Sequence, residues 1–193
     1  MLALHSPHGD QGYPSALDAE VRYGIEAPSR VTLDFKARVD RPCPVNLTSH
    51  AYFNLDGDPD PAHTVAAHRI AVAATHWLPV DNTLIPLGAF APVADSDMDR
   101  RARRALGAQR FDHCYVLNGG PAPAASLWSG DGRLHMTLHT NAPGLQVYGG
   151  HVLSGSTDRL GRPCAAGAEV PLEPQCWPDS PNHPDWPDQG VLL

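Results

Sequence analysis

"VTLDFKAR", residues 31 to 38, sets Val31, Leu33, Phe35 and Ala37 on one side of an extended chain and Thr32, Asp34, Lys36 and Arg38 on the other. A hydrophobic period of two is the pattern of a strand half buried against a core. Short runs of the same kind recur at "VRYGIE" (21 to 26), "HRIAVAA" (68 to 74), "HCYVL" (113 to 117), "RLHMTLH" (133 to 139) and "LQVYGG" (145 to 150). With 20 prolines and 17 glycines between and around such runs, turns come every few residues. That spacing predicts an all-β chain arranged as a sandwich or barrel. One short helix is expected, over "DSDMDRRARRAL" (95 to 106). Asp95 or Ser96 would cap its start, its arginines would form a solvated face in the later turns, and Gly107 follows its end. In "PLEPQCWPDSPNHPDWPDQG" (171 to 190), six prolines in twenty residues work against regular structure. Trp177 and Trp186 point to a rigid loop held by the fold, because a disordered tail gains nothing from exposed tryptophans.

A length of 193 residues fits one domain, and 42% hydrophobic residues suffice for a core. The 14 Lys and Arg against 21 Asp and Glu give a net charge of -7, which offers no footprint for a polyanion, so no nucleic-acid partner is expected. Cys43, Cys114, Cys164 and Cys176 have neither CxxC spacing nor the density of a disulfide framework, and free thiols are expected. "MLALHSPHGD" lacks the basic start and apolar run of an export signal, and no stretch has the length to cross a bilayer. A cytoplasmic location without a membrane partner is the expectation. Of the eleven histidines, His135 and His139 lie four apart on a strand pattern, roughly 13 Å at strand rise, too far for one ion. His5 with His8, and His63 with His68, have no nearby acidic or thiol set. No metal and no other cofactor is expected.

Six segments in order carry a resemblance that no one of them carries alone. They are "SPHGDQGYPSAL" (6 to 17), "NLTSHAYFNL" (46 to 55), "LPVDNTLIPLG" (78 to 88), "FDHCYVL" (111 to 117), "APGLQVYGG" (142 to 150) and "LEPQCWPDSPNHP" (172 to 184). Together they resemble the aldose 1-epimerase, or galactose mutarotase, family. The resemblance implies a large galactose mutarotase-like β-sandwich and interconversion of the α and β anomers of a free aldose such as galactose or glucose. It assigns the general base to Glu173 and the general acid to His50, and it makes Asp112 and Gln146 partners of sugar hydroxyls. From the residues alone, Glu173 is a loop glutamate restricted by the following Pro174, and His50 is compatible with a strand-edge histidine bonded to a carbonyl. Asn46, Phe53 and Trp77 are further sugar-binding candidates. An aromatic ring stacks on the apolar face of a pyranose, although core packing explains most such rings.

The chain departs from the family pattern at several places. It starts at the family's "SP" segment, so an upstream part with a sugar-binding arginine and a second histidine in an "LHGG"-like motif has no counterpart here. It ends "VLL" where the family continues through an "LRPG" segment, and the "PFDFR" region is altered to the basic 97 to 112 stretch. Residues 1 to 193 are therefore read as a single partial domain, a truncated member of the family. Its open strand edges are expected to favour self-association. The alternatives are a noncatalytic carbohydrate-binding module, or an inactive remnant that needs the missing strands from elsewhere.

Overall fold

A computed structural model of the chain describes residues 1–57, 64–152, 155, 157, 161–187 and 192. The stretch read above as one partial domain divides into two compact units, one of residues 1–47 with 180–193 and one of residues 48–179.

The first unit holds β1 (Leu2–Ser6), β2 (Leu17–Glu26) and β3 (Arg30–Val39) in one antiparallel sheet, order β1-β2-β3. Its register pairs Val21 with Phe35, Tyr23 with Leu33 and Ile25 with Val31, and β1 places Leu2 opposite Val21. Every apolar residue of the 31 to 38 pattern therefore shares one face, as the period predicts. The expectation that this face is half buried is met only in part: Leu33 and Ala37, with Leu17, Ala19 and Val21 of the neighbouring strand on the same face, are half-buried. No residue of β1, β2 or β3 is buried, with Val31 60% and Ile25 86% exposed. Alternation specifies the strand and its face, but a covering layer has to come from elsewhere in a fold.

The second unit is a two-sheet sandwich. After β4 (Tyr52–Phe53), the predicted run at 68 to 74 is divided between β5 (Arg69–Val72) and β6 (Ala74–Leu78). These belong to different sheets, so the chain crosses from one to the other at Ala73. β7 (Ala91–Pro92), β8 (Arg104–Ala105), β9 (Asp112–Leu117), β10 (Ala125–Trp128), β11 (His135–Leu138), β12 (Gly144–Tyr148) and β13 (Val170–Gln175) complete the set. One sheet runs β11-β10-β5-β8 and the other β4-β13-β12-β9-β6-β7. Ile70, Val72, Ala125 and Leu127 from the four-stranded sheet meet Tyr115, Leu145, Val147, Val170 and Leu172 from the six-stranded one in a single core. Fully burying each such Leu, Ile or Val side chain stabilises the fold by about 1.5–3 kcal/mol. The all-β sandwich class is thus the observed one.

The helix expected over residues 95 to 106 is absent. Asp95 lies at φ 57, in the left-handed region, which prevents a right-handed start there. Ser96 Oγ donates to the Val93 carbonyl and accepts from Met98 N, closing a local turn instead of a cap. The Asp99 carboxylate gathers Arg101 through both its backbone N–H and its guanidinium. Arg100, read as part of a solvated face, is buried. It donates to the Asp97 and Asp99 carbonyls and to Gln109 Oε1, and its guanidinium lies 4.8 Å over the Phe111 ring. Such side-chain bonds compete with the helical ladder, and Arg104–Ala105 then pairs with β5 as β8. Helical structure among the described residues is confined to short 3-10 turns, the longest three residues; no helix is long and apolar enough to cross a membrane.

Near the C-terminus, the proline-rich segment begins as a strand. β13 accommodates Pro171 and Pro174 while pairing with β4 and β12. Beyond it, Trp177 donates Nε1–H to the Pro143 carbonyl and is 7% exposed, and Trp186 is 8% exposed with its ring stacked on His183 at 4.1 Å. The described part of the segment is a held loop, as the two tryptophans predict. Residues 188–190 of that stretch lie outside the described residues.

Candidate active site

Three adjacent strands of the six-stranded sheet set the site. Glu173 on β13 is in register with Gln146 on β12, Gln146 is in register with Cys114 on β9, and Tyr148 is in register with Asp112. Register partners in an antiparallel sheet share a face, and alternate residues along a strand repeat it. Glu173, Gln146, Tyr148, Asp112 and Cys114 therefore line one face, with Tyr52 added through its pairing with Pro171. Leu172, Leu145, Val147 and Tyr115 take the opposite face and fill the core. Core packing thus fixes which way the polar row points.

His50 precedes β4 and reaches this face from the side. Its Nε2 lies 3.4 Å from Glu173 Oε1; the histidine side chain is 49% exposed and the glutamate side chain 10%. The imidazole packs on the Tyr52 ring at 4.9 Å and meets the Tyr148 ring edge-on at 6.3 Å. Burial raises the Glu173 carboxyl above its usual 4.5, His50 beside it pulls in the other direction, and the Asp112 charge adds to the rise. A partly desolvated carboxylate touching an imidazole is an arrangement that exchanges protons.

Next along the row, Gln146 Nε2 donates to Asp112 Oδ1 at 2.7 Å. A diagonal neighbour on adjacent strands lies within reach of a side chain as long as glutamine. Both residues line a cleft whose apolar wall comes from Leu78, Val80, Leu84 and Pro86. Cys114 forms part of its base, and burial pushes that thiol up to about 12, so it is protonated and unreactive at neutral pH. All four cysteines are free.

The structure does not bring every sequence candidate to this row. Phe53 and Trp77 pack against the core from the opposite face of the sheet; Trp77 is in register with Tyr115 and meets the His113 ring edge-on at 5.0 Å. Phe53 is in register with Val170. Strand parity separates them from Glu173, and core packing accounts for both rings. Asn46, exposed in the first compact unit, keeps only the role that the resemblance gives it. Among the described residues no group of three or more His, Cys, Asp and Glu side chains gathers to hold a metal ion. His135 stacks on Trp128 at 4.5 Å, His68 is fully buried with Nε2 accepting from Leu55 N–H, and His63 lies outside the described residues.

The sequence model of a family described as aldose 1-epimerase matches residues 1–193. The chain belongs to the aldose 1-epimerase family. It is 37% identical over 207 residues to the aldose 1-epimerase of Escherichia coli K12, covering 100% of this chain and 59% of that protein. Human galactose mutarotase is 35% identical over 199 residues, covering 97% of this chain and 56% of its own length. The crystal structure of an aldose epimerase homologue from C. elegans superposes with a TM-score of 0.88 at 26% identity, over 99% of this chain and 59% of that one. The chain thus spans rather more than half the length of the aldose 1-epimerase family members it matches.

Sequence reasoning overlooked Tyr148. It lies two residues after Gln146 on one strand, and period-two counting alone would have put it beside the polar row. The wall residue Leu84 carried no comparable signal, because its place depends on a loop folding back over β9 and β12.

Proposed function

We propose that this chain carries the acid and base of an aldose 1-epimerase, interconverting the anomers of a free hexose such as galactose or glucose. The observation that carries the reading is the 3.4 Å approach of His50 Nε2 to Glu173 Oε1 on the polar face of the sheet. Anomerisation acts on two oxygens bonded to a single carbon, so its base and acid have to converge on one small volume. Glu173, ionised, takes the proton from the C1 hydroxyl while His50, protonated, gives one to the ring oxygen. The bond from C1 to the ring oxygen breaks as the C1 carbonyl forms; C1 rotates, and the reverse transfers close the ring on its other face. Burial favours this division of labour, because a carboxylate held above its usual range is a stronger base once ionised.

Asp112 and Gln146 complete the reading as hydroxyl partners. Their mutual hydrogen bond fixes the amide so that its carbonyl oxygen is left to accept from a sugar hydroxyl, while Asp112 Oδ2 accepts from another. A neutral polyol suits a face with carboxylates and an amide. The test is polarimetry on freshly dissolved α-D-galactose with the wild-type chain and Glu173→Gln. Decay of rotation faster than buffer that the substitution abolishes supports the assignment. Decay equal to buffer overturns it, and measurable galactose binding without acceleration would instead identify a carbohydrate-binding module.

A further inference from the structure

The loop between β6 and β7 has a construction that the catalytic pair does not explain. One oxygen, Asp81 Oδ1, accepts from Thr83 N–H at 2.7 Å, from Thr83 Oγ1 at 2.7 Å and from Ile85 N–H at 3.1 Å. Leu84 N–H and Asp81 O close the turn, Asp81 N–H reaches the Ile85 carbonyl, and Leu87 N–H reaches the Pro79 carbonyl. Val80 and Pro86 form an isolated bridge across the base. These bonds hold the Asp81 carboxyl below its ordinary range, as expected where donors converge on the charged form. The result is a short, internally braced arm.

At its turn stands a residue that backbone preference disfavours. Leu84 has φ 66, the left-handed conformation in which glycine or asparagine is usual. Its side chain is 59% exposed, so no core burial compensates the strain. The same side chain lines the cleft with Asp112 and Gln146. A strained, exposed leucine aimed over two hydroxyl-binding groups calls for a ligand to pack on it.

We propose that Leu84 is a sugar-contacting residue, the apolar wall on which a bound aldose packs. A pyranose carries hydroxyls on its rim and C–H groups on its faces. Asp112 and Gln146 meet the rim, and Leu84, backed by Val80 and Pro86, meets the carbon surface and excludes water from it. Among the described residues the one charged group lining this cleft is Asp112, so a cation introduced at position 84 would face it and draw a sugar that carries a carboxylate. The inference rests on the epimerase reading for the identity of the ligand as an aldose.

Calorimetric titration with D-galactose and D-galacturonate, alongside polarimetry and thermal melts, tests it on the full chain. Leu84→Asn and Leu84→Gly both suit the left-handed backbone, so each should melt at or above the wild-type temperature while binding galactose five- to twentyfold more weakly. Leu84→Lys should shift the galactose-to-galacturonate preference at least tenfold toward the acid. Unchanged galactose affinity in Asn and Gly variants that remain folded overturns the proposal, as does an unchanged preference in the Lys variant. Wild-type binding of galactose without rate enhancement, with the Leu84 effects intact, removes the catalytic reading and leaves the wall assignment standing. A folded wild-type chain that binds no galactose overturns both.

Discussion

Glu173 and His50 are joined at 3.4 Å across the edge of the six-stranded sheet, yet one side chain is 10% exposed and the other 49%. In the proposed mechanism the asymmetry would give them different work: the carboxyl is held by the sheet and desolvated, while the more exposed imidazole would exchange its proton with water. It also predicts how the pair responds to pH. As the proposed base, Glu173 would act only when ionised, and its pKa is raised by burial and lowered by His50. The acidic limb of kcat/KM should therefore fall at a pH above the ordinary carboxylate range. His50→Gln removes the lowering influence, so its residual activity should show that limb displaced to higher pH, with kcat reduced about 10²–10⁴-fold. A pH–rate profile of both proteins checks this, and a limb that stays in place would show that the two groups do not communicate.

Glu173→Gln should lose the same order of activity and gain stability. A carboxyl with a raised folded pKa holds its proton more tightly in the folded chain than in the unfolded one. As pH climbs from the ordinary 4.5 through the raised value, the folded state is penalised, and the penalty persists at neutral pH. The neutral amide escapes it. Thermal melts at pH 7 should place Glu173→Gln above wild type, with the gap closing by pH 4.

Gln146→Leu should act on affinity. Replacing the amide leaves Asp112 Oδ1 without the donor now at 2.7 Å and removes one hydroxyl partner. A hydrogen bond to a charged group is worth about 1.5–3 kcal/mol, so KM for galactose should rise roughly ten- to hundredfold with a smaller change in kcat. Steady-state polarimetry over a range of sugar concentrations separates the two parameters.

Phe53→Ala provides the opposite case. The ring packs, partly buried, on the core from the face away from Glu173, so the substitution should cost about 3 kcal/mol of stability and leave KM unaltered in the folded fraction. Urea unfolding measures the first quantity and polarimetry at low temperature the second.

Gly144→Ala tests the packing beneath the row. A Cβ at that position would sit 2.8 Å from Trp177 Cδ1 and 2.9 Å from Cys114 Sγ, with the Gln175 carbonyl at 3.1 Å. Overpacking of this kind costs about 1–3 kcal/mol and would push the Trp177 loop off β12. A lowered Tm together with a red shift of tryptophan emission is the expected outcome.

Local pattern determined much of this protein by itself. The period-two runs specify strands at 21 to 26, 31 to 38, 113 to 117 and 145 to 150, because alternation is a property of neighbouring residues and needs no partner to be read. The ordered motifs specify the family, since residues such as those around His50 and Glu173 retain their types in sequence whatever the chain does in space. The tertiary structure decided the rest. Residues 95 to 106 look helical when charges and caps are counted, but Arg100 gains more from Phe111, Gln109 and two carbonyls than from a helical turn. Phe53 and Tyr52 are adjacent in sequence and both aromatic; only the register with Val170 and Pro171 assigns one to the core and the other to the polar face. The same holds for the polar row. Asp112, Gln146 and Glu173 lie far apart along the chain, and pairing of β9, β12 and β13 alone makes them neighbours, because a sheet's long-range hydrogen bonds set contacts that no local pattern encodes.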